Sequence, residues 1–335
     1  MELSYLIAFP DLSEDPSPPV EAFKGLKDAP YFQPIDIKLV NLGEETLVVE
    51  GYAVHIMRQR FDGRVQMVEC RFDMKEPFAD SALKDRAKLQ AALQSRVLPA
   101  EYRQNGLFEE YSILLVEDAR PAPDKWIDKN ARHLARFIRS QRDVFDPGEI
   151  ADILVSRTRY SARELTLVDW EGAVIIAPEG DFQSDVALLK IGNYQLLRFR
   201  MLDESLETIL DQISAEFLEN KKNPLRPGPT RTTVRKIIQH RLEVMLDFER
   251  AEQNLLLIGD WYTAKLYEAI RNEFYLEDWK SAVRAKLDNL EDLIETIQEN
   301  FSLTWSGLLE NVQLAGWIVL LIGYFILFFI EDLAK

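Results

Sequence analysis

Residues 52–74 read YAVHIMRQRFDGRVQMVECRFDM, and the reading of this stretch decides the fold class. Two alternating runs flank Asp62-Gly63. Asp-Gly readily takes the positive-φ conformation that matches strand twist, so the segment predicts a β-hairpin. Further β signals lie on both sides. Leu3–Phe9, "PIDIKLVNL" (34–42) and "EEYSILLVED" (109–118) read as strands, and "ELTLVDWEGAVIIAP" (164–178) reads as a second hairpin turning near Glu171-Gly172. Between them, "DSALKDRAKLQAALQSRV" (80–97), "DKWIDKNARHLARFIRSQ" (124–141) and the segment after Asp146-Pro147 predict helices. Asp80 or Ser81 suits the first as N-cap, and Pro147 suits the first turn of the third. Pro10, Pro16, Pro18, Pro19 and Pro30 mark an irregular segment. Together these signals predict an α+β domain over 1–178 with a mainly antiparallel sheet.

After Pro178 the β signals stop. Residues 184–222 read as one long amphipathic helix, weakened only at Gly192, and "NPLRPGPT" (223–230) ends it. Further helices are predicted over 232–258 and 262–274, and from Glu277 onward. The last carries Val283, Leu287, Leu290, Ile294, Ile297 and Phe301 at alternating four- and three-residue steps, the seam of a coiled coil. Two pairings are open: an antiparallel hairpin on Val234, Ile238, Leu242 and Met245, or a coiled coil between chains. Residues 179–311 thus form an expected helical stalk domain.

The segment 312–330, VQLAGWIVLLIGYFILFFI, contains no charge. A helix of that length reaches about 28 Å, close to a bilayer's hydrocarbon thickness. The expectation is a single C-terminal transmembrane helix, tail-anchored, with the N-terminal bulk in the cytoplasm and the lipid bilayer as partner. The N-terminus lacks the basic start and cleavage pattern of a secretory signal. Gly316 and Gly323 lie seven residues apart on one helix face, where small residues permit close helix packing and self-association.

The chemistry-bearing residues are sparse in pattern. Net charge is −16, so nucleic acid is disfavoured except at a local basic segment. One such segment exists. Residues 220–241 hold Lys221, Lys222, Arg226, Arg231, Arg235, Lys236 and Arg241 and no acid. It reads either as an internal complement to acidic neighbours or as a contact for an anionic partner. A second basic run places Arg132, Arg136 and Arg139 on one helical face, with Leu134, Phe137 and Ile138 inward. The single cysteine, Cys70, sits in a strand and reads as a buried inert thiol. His55, His133 and His240 form no ligand spacing. No phosphate loop, nucleophile elbow, zinc motif or calcium loop occurs, so no catalytic, cofactor or metal residues are assigned. Asp203 with Glu207, and Glu291 with Glu295, read as solvated helix faces.

The stretch "GDWYTAKLYEAIRNEFYLEDWKSAVRAKLDNLEDLIETI" (259–297), followed by the apolar tail, resembles the C-terminal part of the required-for-meiotic-nuclear-division family over about residues 180–330. The family's usual "R…LN" is represented only by Arg284 and "LDN" (287–289). The resemblance implies a membrane-anchored protein with an α+β region, some of whose relatives organise translation at a mitochondrial membrane. It brings no catalytic residues. The functional expectation is a non-enzymatic, tail-anchored scaffold that binds a protein partner or forms a homo-oligomer. The alternatives are a membrane-tethered hydrolase using carboxylates or a metal ion, and a subunit of an oligomeric channel or transporter.

Overall fold

A computed structural model describes residues 1–11, 37–222, 238, 239, 242, 245, 246, 248 and 261–333. Eight strands, β1 (Glu2–Pro10), β2 (Leu39–Val49), β3 (Tyr52–Phe61), β4 (Val65–Asp73), β5 (Glu109–Val116), β6 (Arg157–Arg159), β7 (Leu165–Val168) and β8 (Gly172–Ile176), form one sheet. Its order is β2-β3-β4-β1-β5-β8-β7-β6. Every pairing is antiparallel except β5 with β8. The mainly antiparallel α+β architecture expected from the sequence is therefore present.

Local chemistry explains the turns. Asp62 (φ 50°) and Gly63 (φ 65°) form the two-residue turn between β3 and β4, closed by the Arg64 amide donating to the Phe61 carbonyl at 2.9 Å. Glu50 (φ 48°) and Gly51 (φ 83°) do the same between β2 and β3. β2 is interrupted by a bulge between Asn41 and Gly43.

The helices are α1 (Asp80–Val97), α2 (Tyr102–Asn105), α3 (Pro123–Lys129), α4 (Ala131–Ile138), α5 (Pro147–Ile153), α6 (Gln183–Lys222), α7 (Trp261–Glu273) and α8 (Leu276–Leu333). Ala79, not Asp80 or Ser81, is the N-cap of α1 and makes no side-chain cap. Asn130 (φ −102°, ψ 13°) leaves helical geometry and divides the expected helix over 124–141 into α3 and α4. Asp146 and Glu149 form a capping box at α5, with Asp146 Oδ1 accepting from the Gly148 amide at 2.7 Å.

Strand alternation gives the sheet two buried faces. On one, Tyr5, Ile7, Ile56, Cys70, Leu114 and Val174 pack with Leu89 and Leu93 of α1 and Leu134, Phe137 and Ile138 of α4. Arg86 of α1 is buried there and donates to the Phe137 carbonyl at 2.7 Å. That carbonyl belongs to the last turn of α4, where a cation complements the helix dipole.

The opposite face is covered by the first half of α6 and by α7. Tyr194 stacks on Phe61 and donates to Asp62 at 2.6 Å. Tyr262 donates to Asp185 at 2.7 Å. Phe274 meets Tyr111 edge-on with ring centroids 5.1 Å apart. Gly192 lets α7 approach α6 closely, since a Cβ there would lie 2.4 Å from Ile270 Cγ2.

The chain divides into two compact units, Met1–Ser205 with Leu246–Val283, and Leu206–Met245 with Arg284–Lys335. One boundary between the units falls inside α6, after Ser205. In the second unit Lys286 Nζ lies 3.5 Å from Glu207 Oε2, and Leu206, Ile209, Leu287, Leu290 and Ile294 are buried. These positions of the predicted seam thus pack within one chain, beside α6. Of the partners expected from the sequence, Ile238 and Leu242 are exposed and Met245 is half-buried. Val234 lies outside the described residues, as do the side chains of Ile297 and Phe301.

The transmembrane expectation for 312–330 is corrected. Among the described residues, no helix is long and apolar enough to cross a membrane. The apolar segment is the end of α8, a helix that starts at Leu276 with a charged first turn. The single-pass, tail-anchored placement, with the bulk in the cytoplasm, is therefore not supported.

Candidate functional site

A cavity of about 360 Å³ opens between α6 and the sheet. Two cross-strand pairs form its floor, Met57 opposite Glu69 and His55 opposite Arg71. One stripe of α6 forms its wall, with Gln183, Val186, Ala187 and Lys190 at the spacing of a single helix face.

Glu69 is the centre of the charge arrangement. Its Oε1 accepts from Ser4 Oγ at 2.9 Å and from Arg71 Nε at 2.5 Å. Its Oε2 lies 2.5 Å from Lys190 Nζ, an ion pair rather than a well-aligned hydrogen bond. Lys190 also donates to Gln59 Oε1 at 3.0 Å. The side chains of Glu69 and Lys190 are 2% and 7% exposed, so both charges have left water and depend on each other. Burial by itself would raise the Glu69 carboxyl. The Lys190 ammonium and Arg71 guanidinium outweigh it and hold the pKa below the usual carboxylate range. At the rim, His55 Nε2 stands 3.5 Å from Glu44 and its Nδ1 3.3 Å from Thr46 Oγ1.

This arrangement suits binding better than proton transfer. A carboxylate clamped by two cations is a weak base, and a general base near neutral pH needs the opposite shift. Cys70 lies on the other sheet face, fully buried, and burial pushes its thiol up to about 12, as expected of an inert thiol.

A second place where acids approach one another lies around Asp169, Glu171 and Glu273. Burial raises all three carboxyls, and each feels a neighbouring charge. Arg139 joins two of them, at 3.0 Å from Asp169 and 3.8 Å from Glu171. The acids converge on an arginine, which makes an ion-pair network. Among the described residues, no group of three or more His, Cys, Asp or Glu side chains could hold a metal ion.

The residues singled out from the sequence fall elsewhere. Lys221 and Lys222 end α6, and their side chains lie outside the described residues. Arg226, Arg231, Arg235, Lys236 and Arg241 are also outside them. In the second basic run, Arg136 pairs with Asp80 at 2.8 Å and Arg139 with Asp169. Gly316 and Gly323 of α8 have nothing within 4 Å of a Cβ position. The cavity residues were missed because they meet only in three dimensions. One signal existed: Lys190 is a lone charge inside the apolar run VALLKIGNYQLL (186–197).

Residues 27–183 match the family described as "Uncharacterized protein MJ0711, N-terminal domain". The chain is also 25% identical over 244 residues to the uncharacterized protein MJ0711 of Methanocaldococcus jannaschii, covering 73% of this chain and 70% of that protein. No solved structure matches. The family match includes His55, Met57, Glu69 and Arg71 and stops at Gln183, before Lys190. Neither match bears on the required-for-meiotic-nuclear-division family.

Proposed function

We propose that the chain is a non-enzymatic binding module that associates with a second copy of itself through the apolar end of α8. The observation that carries this reading is exposure. Trp317, Val319, Leu320 and Leu321 each show about six-tenths or more of their surface, and Leu314, Ile318, Ile322 and Ile326 are also more than half exposed. Apolar surface in water costs about 25 cal/mol per Å², and monomers rarely leave such patches uncovered.

A second copy fits this surface for two reasons. Gly316 and Gly323 lie on one face with open space above them, so the backbone of another helix can come close there. The patch is apolar on both candidate surfaces, which a two-fold interface requires. The buried part of the seam, Leu287–Ile294, is already covered within the chain and leaves the later segment as the contact. The non-enzymatic part rests on Glu69, whose carboxyl Lys190 and Arg71 hold below its ordinary pKa.

Sedimentation equilibrium of the full chain in a density-matched mild detergent tests this. The expected mass is that of a dimer, and a Trp317→Glu, Leu320→Glu, Leu321→Glu variant should sediment as a monomer. A monomer mass for the unaltered chain overturns the reading. So does a dimer that survives the triple substitution.

A further inference from the structure

The cavity lining carries an imbalance of charge. Arg71 and Lys190 supply two cations and Glu69 one anion. Glu69 Oε1 accepts from Ser4 and Arg71, and its Oε2 faces Lys190. Arg71 uses only Nε among the described residues and is a quarter exposed, so its terminal N–H groups are left for another acceptor. Gln183, the first residue of α6, adds a polar side chain to the lining. Met57, Val186 and Ala187 supply an apolar side.

We infer that this cavity binds a small organic monoanion. Its carboxylate would sit against Arg71 and Lys190, and a short apolar body against Met57, Val186 and Ala187. One negative charge balances the lining. A second is opposed by Glu44 beside His55 and by Glu2 near Arg71. The volume, about 360 Å³, is at the small end of ligand pockets. The buried ion pair has a reason in this reading. An apolar pair would hold α6 on the sheet about as well, because desolvation offsets much of the Coulomb gain. Charge at this position therefore serves recognition. Guanidinium is the group that matches a planar carboxylate with two parallel hydrogen bonds.

Thermal unfolding of the full chain, with butyrate as the probe at constant ionic strength, tests this. Butan-1-ol, n-butylammonium and inorganic phosphate are the comparisons. Butyrate at about ten times its dissociation constant should raise Tm by about 2–4 °C. The three comparisons should not. Arg71→Gln should weaken butyrate at least about tenfold, the effect of one lost charge-assisted hydrogen bond. That substitution also disturbs Glu69, so Ala187→Phe is the second variant. It fills the cavity, keeps every charge, and should abolish the butyrate shift while the chain still unfolds cooperatively. The inference is overturned by equal shifts from butyrate and either uncharged or cationic analogue, by a shift from phosphate alone, by a butyrate shift that persists in Ala187→Phe, or by no shift at millimolar butyrate.

Discussion

Lys190 of α6 and Glu69 of β4 form an ion pair at 2.5 Å with less than a tenth of either side chain exposed. Removing one partner strands the other. Lys190→Met should cost about 3–5 kcal/mol of stability, because the Glu69 charge keeps only half-buried Arg71 as a full counter-charge. Lys190→Met combined with Glu69→Met should cost clearly less than the single change. Urea midpoints with unchanged slopes measure both. A double variant that is less stable than Lys190→Met would show that the pair itself, rather than its imbalance, holds α6.

The same carboxylate predicts a pH dependence with a definite sign. Burial raises the pKa of Glu69, but Lys190 and Arg71 bring it below its ordinary value. Its contribution is therefore present above the unfolded-state value of about 4.3 and is lost as pH falls through the lower folded value. Glu69→Gln should be less stable than the parent at pH 7, and the gap should narrow in acid below about pH 4.3. A gap that stays constant from neutral to acid would refute the assignment of the shift.

Gly192 carries a third prediction. Alanine is the better helix former by about 1 kcal/mol, so Gly192→Ala would stabilise an isolated helix. Here its Cβ would lie 2.4 Å from Ile270 Cγ2 and 3.1 Å from the Phe274 ring. Overpacking of this kind costs about 1–3 kcal/mol, so the net effect should be destabilising. Ile270→Ala in the same chain should recover part of the loss, a coupling of about 0.5–3 kcal/mol in a double-mutant cycle.

Cys70 gives a fourth. It is fully buried, and burial pushes the thiol up to about 12. The native chain should show no thiol reactive toward a colorimetric disulfide reagent at pH 8, and one after denaturation. Rapid labelling of the native chain would mean that the core opens around β4.

The fold was legible where one residue pair dictates geometry. Asp62-Gly63 announced its turn, and the Glu171-Gly172 region announced the β7–β8 hairpin. The turn at Glu50-Gly51 was not recognised, because β2 is exposed along most of its length and its polar residues do not alternate as a half-buried strand should. Asn130 divides two helices at a residue that carries no strong breaker signal. The apolar seam at Leu287–Ile294 was legible as a seam, but its partner was not. Spacing says that a face is apolar and is silent on which helix covers it. The membrane reading came from counting apolar residues over 312–330, and among the described residues no helix meets that requirement. The cavity was invisible for a related reason. His55, Met57, Glu69 and Arg71 are adjacent only through strand register, and Lys190 reaches them from more than a hundred positions along the chain.

The bulge in β2 has a consequence for how these molecules meet. β2 borders the sheet, and a bordering strand offers unpaired amides and carbonyls to any passing chain. The Asn41–Gly43 irregularity breaks the flat ladder there, and Glu44 and Glu45 follow it with two negative charges. Such features discourage strand-to-strand growth. That edge is thereby kept from serving as a template for the strand of another chain.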